Sequence, residues 1–169
     1  AGTGIVFEGD IGGNGTTEAL NQLVAIAATG NITFQVAANN VLTIGQQIFA
    51  ATTGDIVLGT NVTFDSGGPA VAFTGNVEGF EDGGGSITVT DGGAVSFANG
   101  VVGGTNRLAS IDITSDTVNF SNAVGVSVRT TGTQQYDADV LLGNDATLEG
   151  TTIAFHNAVD SSAGETNSL

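Results

Sequence analysis

The chain has 169 residues, enough for one domain with a sizeable core, and combines 40% hydrophobic residues with a formal net charge of -15. Two arginines, Arg107 and Arg129, face 17 acidic residues and lysine is absent, which argues against partners that need phosphate neutralisation, nucleic acid and anionic membrane surfaces alike. Cysteine is also absent, so there is neither a disulfide framework nor a thiolate metal site, and no apolar run is long enough for membrane insertion.

The first element, Ile5-Val6-Phe7, is an aliphatic-x-Phe tripeptide. It returns at Ile32–Phe34, Val62–Phe64, Val71–Phe73, Val95–Phe97, Val118–Phe120 and Ile153–Phe155, and so takes in most of the 9 phenylalanines. Its alternation is that of a half-buried strand. In five copies Gly or Asn follows two residues later, as Gly9, Gly75, Asn99, Asn122 and Asn157, and these types enter the left-handed backbone region most readily. An aliphatic residue comes next, as Ile11, Val77, Val101, Val124 and Val159. The pattern predicts a strand, a one-residue left-handed bend and a further short strand, with the phenylalanines stacked in a file along an axis.

Next comes the turn Gly12-Gly13-Asn14-Gly15-Thr16-Thr17, which lacks the acid of calcium-binding nonapeptide repeats. Thr17–Thr29 has helix-compatible spacing ending at Gly30. Residues 5–34, however, align with 95–120, where the counterpart segment Leu108–Ser115 is short and β-branched, so both are predicted as strands. Residues 71–97 form a looser third copy through Ile87-Thr88-Val89. Successive tripeptides start 9 to 35 residues apart, a spread that a coil with variable turns tolerates. The expectation is an all-β chain, one β-solenoid domain over 1–169 with irregular rung lengths, built as a parallel β-helix. An antiparallel sandwich is the alternative, but it lacks regular two-residue hairpin signals.

The stretch 130–155 resembles repeats of large secreted bacterial surface proteins, the filamentous-haemagglutinin-like and autotransporter-passenger-like adhesins. Thr130-Thr131-Gly132-Thr133-Gln134, Tyr136, Val140, Leu142-Gly143, Thr147-Leu148, Gly150-Thr151-Thr152 and Phe155 carry the likeness. Val102-Gly103-Gly104-Thr105 with Leu108–Ile111 is similar to another piece of such arrays. The resemblance implies a right-handed parallel β-helix, an extracellular or bacterial cell-surface location, and a structural or adhesive role, as in an adhesin stalk or biofilm matrix. Asp137, Asp139, Asp145 and Glu149 depart from the neutral residues common in those repeats.

Candidate chemistry is sparse. His156, the sole histidine, occupies a variable position predicted to face solvent, with no nucleophile or carboxylate at a recognised spacing. Glu81-Asp82 and Asp137-x-Asp139 come closest to the paired carboxylates of a glycosidase. Oxygen-rich turns around Glu78, Glu81 and Asp82, or around Asp137 and Asp139, leave room for Ca2+, though no cofactor is required. Thr88-Val89-Thr90 is a single T-x-T of the kind an ice-binding face repeats. Gly83-Gly84-Gly85 is a turn without a phosphate-binding fingerprint. No catalytic, cofactor-binding or metal residue is assigned.

The termini align with parts of a repeat. Ala163–Leu169 matches Gly103–Leu108, and Ala1–Phe7 matches Ala28–Phe34, so the two ends together nearly complete a rung. The solenoid is therefore expected to be uncapped at both ends and continued by a head-to-tail copy or by further repeats of a longer chain. The leading expectation is a non-catalytic subunit or segment of an extracellular fibre. The alternatives are a glycan- or calcium-binding module recognising a surface receptor, and an enzyme on the same scaffold.

Overall fold

A computed structural model describes residues 4–13, 19–35, 40–122, 125–162, 164 and 166–169, with Asp91 by its backbone alone. Among them every regular element is a strand: β1 (Ile5–Phe7), β2 (Leu23–Ala27), β3 (Ile32–Phe34), β4 (Asn40–Leu42), β5 (Gln47–Leu58), β6 (Val62–Asp65), β7 (Ala70–Gly79), β8 (Ile87–Ala98), β9 (Ile111–Ser121), β10 (Val126–Arg129), β11 (Thr133–Leu142), β12 (Ala146–Glu149), β13 (Thr152–Phe155) and β14 (Val159–Ser161). All strand pairings are parallel, and they stack the chain into about 6 turns of a β-solenoid. Within the helix-compatible stretch Leu23–Ala27 is strand, as β2, and Leu20 forms a single parallel bridge to Thr43, while Thr17 and Glu18 lie outside the described residues.

Each rung has three faces. Face A holds β2, the first parts of β5 and β7, the second parts of β8, β9 and β11, and finally β14. Face B runs through β1, β3, the ends of β5 and β7, Val102, β10 and β12. Face C runs through Ile11, β4, β6, the starts of β8, β9 and β11, and β13. The long strands turn a corner where their register shifts, between Ala50 and Asp55, Val89 and Gly92, and Asp137 and Asp139.

These registers correct the meaning of the tripeptide. It marks a strand on any face, so its copies do not share one rung position. Phe7 and Phe34 lie on face B, Phe64 and Phe155 on face C, and Phe73, Phe97 and Phe120 on face A. The true period is more regular than the motif spacing. Leu23, Gln47, Val71 and Val95 succeed one another every 24 residues, and the rungs then shorten through Val118 and Val140 to Val159.

The rings nevertheless form one continuous ladder, because the three faces converge on a narrow axis. It runs from Phe7 and Phe34 through Phe49, Phe64, Phe73, Phe97 and Phe120 to Tyr136 and Phe155, with neighbouring centroids 5.0 to 6.0 Å apart. Where rings share a face they stack or nearly so, as Phe73 on Phe97 at 13° and Phe97 on Phe120 at 15°, with Phe7 tilted by 31° on Phe34. Where the ladder crosses faces the contacts are edge-on, as Phe64 to Phe73 at 85°.

Only two of the five expected left-handed bends occur. Gly75 (φ 105°) and Asn99 (φ 59°) adopt that region, whereas Gly9, Asn122 and Asn157 do not. Asn122 instead turns its side chain into the stack and donates to Gly100 O at 3.1 Å, which satisfies a corner carbonyl without a backbone inversion. The aliphatic residue that follows also varies. Val77 is buried, Val101 leaves the inward place to Val102, Val159 is exposed, and Val124 lies outside the described residues.

Two corners share a lock that spacing analysis overlooked, Thr-x-Gly-x-Gln at Thr43–Gln47 and Thr130–Gln134. Gln47 Nε2 donates to Val41 O (2.9 Å), Thr43 Oγ1 (3.3 Å) and Asp65 O (2.7 Å). Gln134 Nε2 makes the same three bonds, to Val128 O, Thr130 Oγ1 and Glu149 O. Each buried amide thus ties its own corner to the rung above. The locks differ in one atom. Tyr136 donates its hydroxyl to Gln134 Oε1 at 3.0 Å, but Phe49 stands in the Tyr136 place and Gln47 Oε1 has no partner. Supplying the hydroxyl with Phe49→Tyr is expected to raise stability by about 1 kcal/mol, and Tyr136→Phe to lower it by about 1 to 2 kcal/mol, in urea unfolding.

Candidate functional site

Parallel stacking brings like positions of successive rungs side by side, and both arginines with their acidic partners gather at the corner between faces B and C. Arg107 binds Asp82 through two parallel bonds, Nε to Oδ1 at 2.9 Å and Nη2 to Oδ2 at 2.7 Å. Its Nη1 reaches Glu149 at 3.5 Å, and Glu149 accepts from Arg129 Nε at 2.9 Å. Arg129 also donates to Gly104 O at 2.9 Å. Both basic residues of the chain are therefore members of one ladder that clamps rungs together.

Glu78 lies beside this ladder on face B and is buried. The turn at Gly103, whose φ of 70° and contact with Arg129 O leave no room for a Cβ, aims three consecutive amides at it. Gly104 and Thr105 donate to its carboxylate at 3.2 and 2.9 Å, and Asn106 at 2.8 Å. Burial pushes the Glu78 carboxyl above its ordinary value, against the downward pull of those amides. Asp82 moves the other way, held near about 2 by the hydrogen bonds from Arg107, and Glu149 is lowered chiefly by Arg129.

The sequence-selected acids are thus dispersed. Glu78 is taken up by backbone amides, Asp82 by Arg107, and Glu81 faces solvent from the turn that its carbonyl closes with Gly84 N. Asp137 is not isolated: His156 Nδ1 contacts its Oδ1 from the next rung. His156 is exposed as expected, but a carboxylate does stand beside it, placed there by the pairing of β11 with β13. Asp139 caps the neighbouring turn by accepting from Ala158 N at 3.2 Å. Among the described residues no three His, Cys, Asp or Glu side chains converge as a metal-binding group.

Thr88 and Thr90 lie outward on face C with Thr63 and Thr114 in the adjoining rungs, but Asp65 and Asp112 interrupt the two files. An open groove of about 540 Å3 runs along the corner between faces A and B, between Val101, Asn122, Asp145 and Thr147. Two of its polar side chains are already engaged: Asn122 as above, and Asp145 as acceptor from Ser168 N and Oγ at 2.8 and 2.9 Å. The Ser168 amide is the main cause that lowers the Asp145 carboxyl below its ordinary value.

The remaining candidate site is axial. The partly buried apolar residues packed against the core are Ile5, Phe7, Ile11 and Leu23 in the first rung and Leu148, Ile153 and Phe155 in the last. Their counterparts within the stack, such as Ile32, Phe34, Val128 and Tyr136, are 0% exposed. Among the described residues β1 pairs only with β3, and β13 and β14 pair only with β11, so one backbone edge of each is open. Ile5 and Phe7 sit opposite Ile32 and Phe34, as the N-terminal alignment predicted. The C-terminal alignment is corrected. Ala146 N donates to Ser168 O at 2.8 Å, as Val126 N does to Asp145 O, so Leu169 falls at the face B register of Ala146 and not at that of Leu108.

No family model, curated protein or solved structure matches this chain.

The pKa shifts fix a pH window for the ladder. A depressed carboxyl adds stability that is fully present above its unfolded value, 3.8 for Asp82, and is lost as pH falls through its folded value near about 2. Arg107→Gln is expected to lower the thermal midpoint at neutral pH, and the deficit should shrink across that window. Melts of both proteins through the acid range check this, and a deficit unchanged at the lowest pH would contradict the assignment.

Proposed function

We propose that the chain is a non-catalytic structural rod, a subunit or segment of an extracellular bacterial fibre or adhesin stalk, continued along its axis by stacked rungs. The observation that carries this reading is the open core at both ends of the described solenoid. Aromatic and aliphatic side chains there lack the covering rung that buries their equivalents, and parallel strand edges there lack partners. An apolar end with free backbone groups favours another rung of the same register over water. The ladder at the corner between faces B and C supports a rod role, because it commits both arginines to holding rungs together. The resemblance of residues 130–155 to surface-protein repeats supports the extracellular location.

Axial growth brings chains of charge -15 end to end, so mutual repulsion opposes it at low salt. Electron micrographs and sedimentation over a concentration series are expected to show filaments that lengthen with protein and salt concentration, as screening weakens the repulsion. Phe155→Asp, which sets a charge on the open end of the aromatic ladder, is expected to stop growth. Compact monomers at every concentration would reject self-stacking and leave further rungs of a longer chain as the continuation. A melting temperature raised by calcium and not by magnesium, or binding on a glycan array, would favour the ligand-binding module instead.

A further inference from the structure

The acidic residues are not spread evenly over the three faces. Face C carries Asp65, Asp112 and Asp137 among its outward positions, and face B carries Glu78 and Glu149. On face A, the five successive segments 22–26, 46–50, 70–74, 94–98 and 117–121 contain no charged residue at all. Charge returns only with Asp139 and Asp160 in the last two rungs.

The uncharged area also has a gradient of size. Its first two rungs present Val24 (47% exposed), Ile26 (60%) and Ile48, whereas the later rungs present Ala72, Ser96 and Ala98 in the same files. A parallel sheet that offers protruding aliphatic side chains at one end and short ones at the other is complementary to itself when inverted.

We propose that face A is a lateral docking surface for a second copy of this chain, the two solenoids lying antiparallel. Inversion about the middle segment, 70–74, sets Val24 and Ile26 of one copy over the rung of Asn119 and Ser121 of the other, so large side chains meet small ones at a constant intersheet distance. It also leaves Asp139 and Asp160 beyond the overlap. A parallel arrangement would set each of these carboxylates against its own copy and large side chains against large. For an acidic chain, the face without charge is also where a second copy meets the least repulsion. A cationic partner would instead be drawn to faces B and C.

Five strands at about 4.8 Å and about five residues at about 3.3 Å cover roughly 400 Å2 per copy. This is about half of the roughly 800 Å2 per partner in a standard interface, so one pair of chains associates weakly and reversibly. The contact does not depend on axial stacking, but it multiplies along any rod that stacks, through summed contacts.

The test uses the Phe155→Asp chain, so that axial growth does not obscure lateral pairing, with its fold checked by circular dichroism. Sedimentation over a concentration series in high salt should show a monomer–dimer equilibrium, and adding Ile26→Glu should weaken it at least tenfold with an unchanged melting temperature. Orientation is read independently in the otherwise native, cysteine-free chain with a short bismaleimide. Ala72→Cys should couple to itself, and Val24→Cys should couple to Asn119→Cys in a mixture but not to itself. Absence of both dimer and coupling, a dimer indifferent to Ile26→Glu, or self-coupling of Val24→Cys would each overturn the proposal.

Discussion

Parallel stacking in register places each residue directly over its equivalent in the rung below, and the other features of this protein follow from that. Because neighbouring strands are about 4.8 Å apart, a side chain that suits one rung must also suit contact with its own kind. Apolar residues answer by forming files, and aromatic rings by stacking. Phe73, Phe97 and Phe120 meet this demand at centroid distances of 5.1 and 5.3 Å. The axis is narrow enough for rings from different faces to touch, which joins three separate strand files into a single aromatic ladder.

The same constraint explains how polar groups are managed. Corner carbonyls and amides cannot all be satisfied within a rung, so side chains reach to the next one. Asn76 donates to Asp55 below and accepts from Val101 N above, both at 3.0 Å. The two Thr-x-Gly-x-Gln corners bury a full amide by the same device, and Glu78 does so with three backbone donors. Asp82, Arg107, Arg129 and Glu149 occupy successive rungs, so the two cations of the chain are neighbours, and Glu149 offsets their repulsion by pairing with both while Asp82 holds Arg107 from the other side.

The ends of the described stack are packed less completely than its interior. A rung is stabilised by the rungs on either side, so the first and last described rungs hold the same residue types as the interior but leave them half covered. The axial reading rests on this asymmetry, and the lateral one on a different asymmetry, that of charge between the faces. The rod proposed on these grounds has two kinds of contact, one along the axis through backbone edges and one sideways through an uncharged sheet.

The sequence by itself determined the strands and their stacking, because alternation of apolar residues with Gly-rich turns is a local signal that survives without knowledge of partners. Ile5-Val6-Phe7 and Ile111-Asp112-Ile113 were legible for that reason, whereas residues 23–27, whose own spacing also suits a helix, were read as strand through their alignment with the β-branched segment Leu108–Ser115. Only the tertiary structure decided which face each strand occupies, since the aliphatic-x-Phe tripeptide satisfies all three faces equally and carries no mark of its own. The spacing of the tripeptide hid the 24-residue rung, and it hid the meeting of Asp137 with His156, which depends on rung length and not on local pattern. The fate of Asn122 was undecidable locally too, because a left-handed bend and an inter-rung hydrogen bond both suit asparagine. The neighbouring rung, with Gly100 O in reach, chose between them.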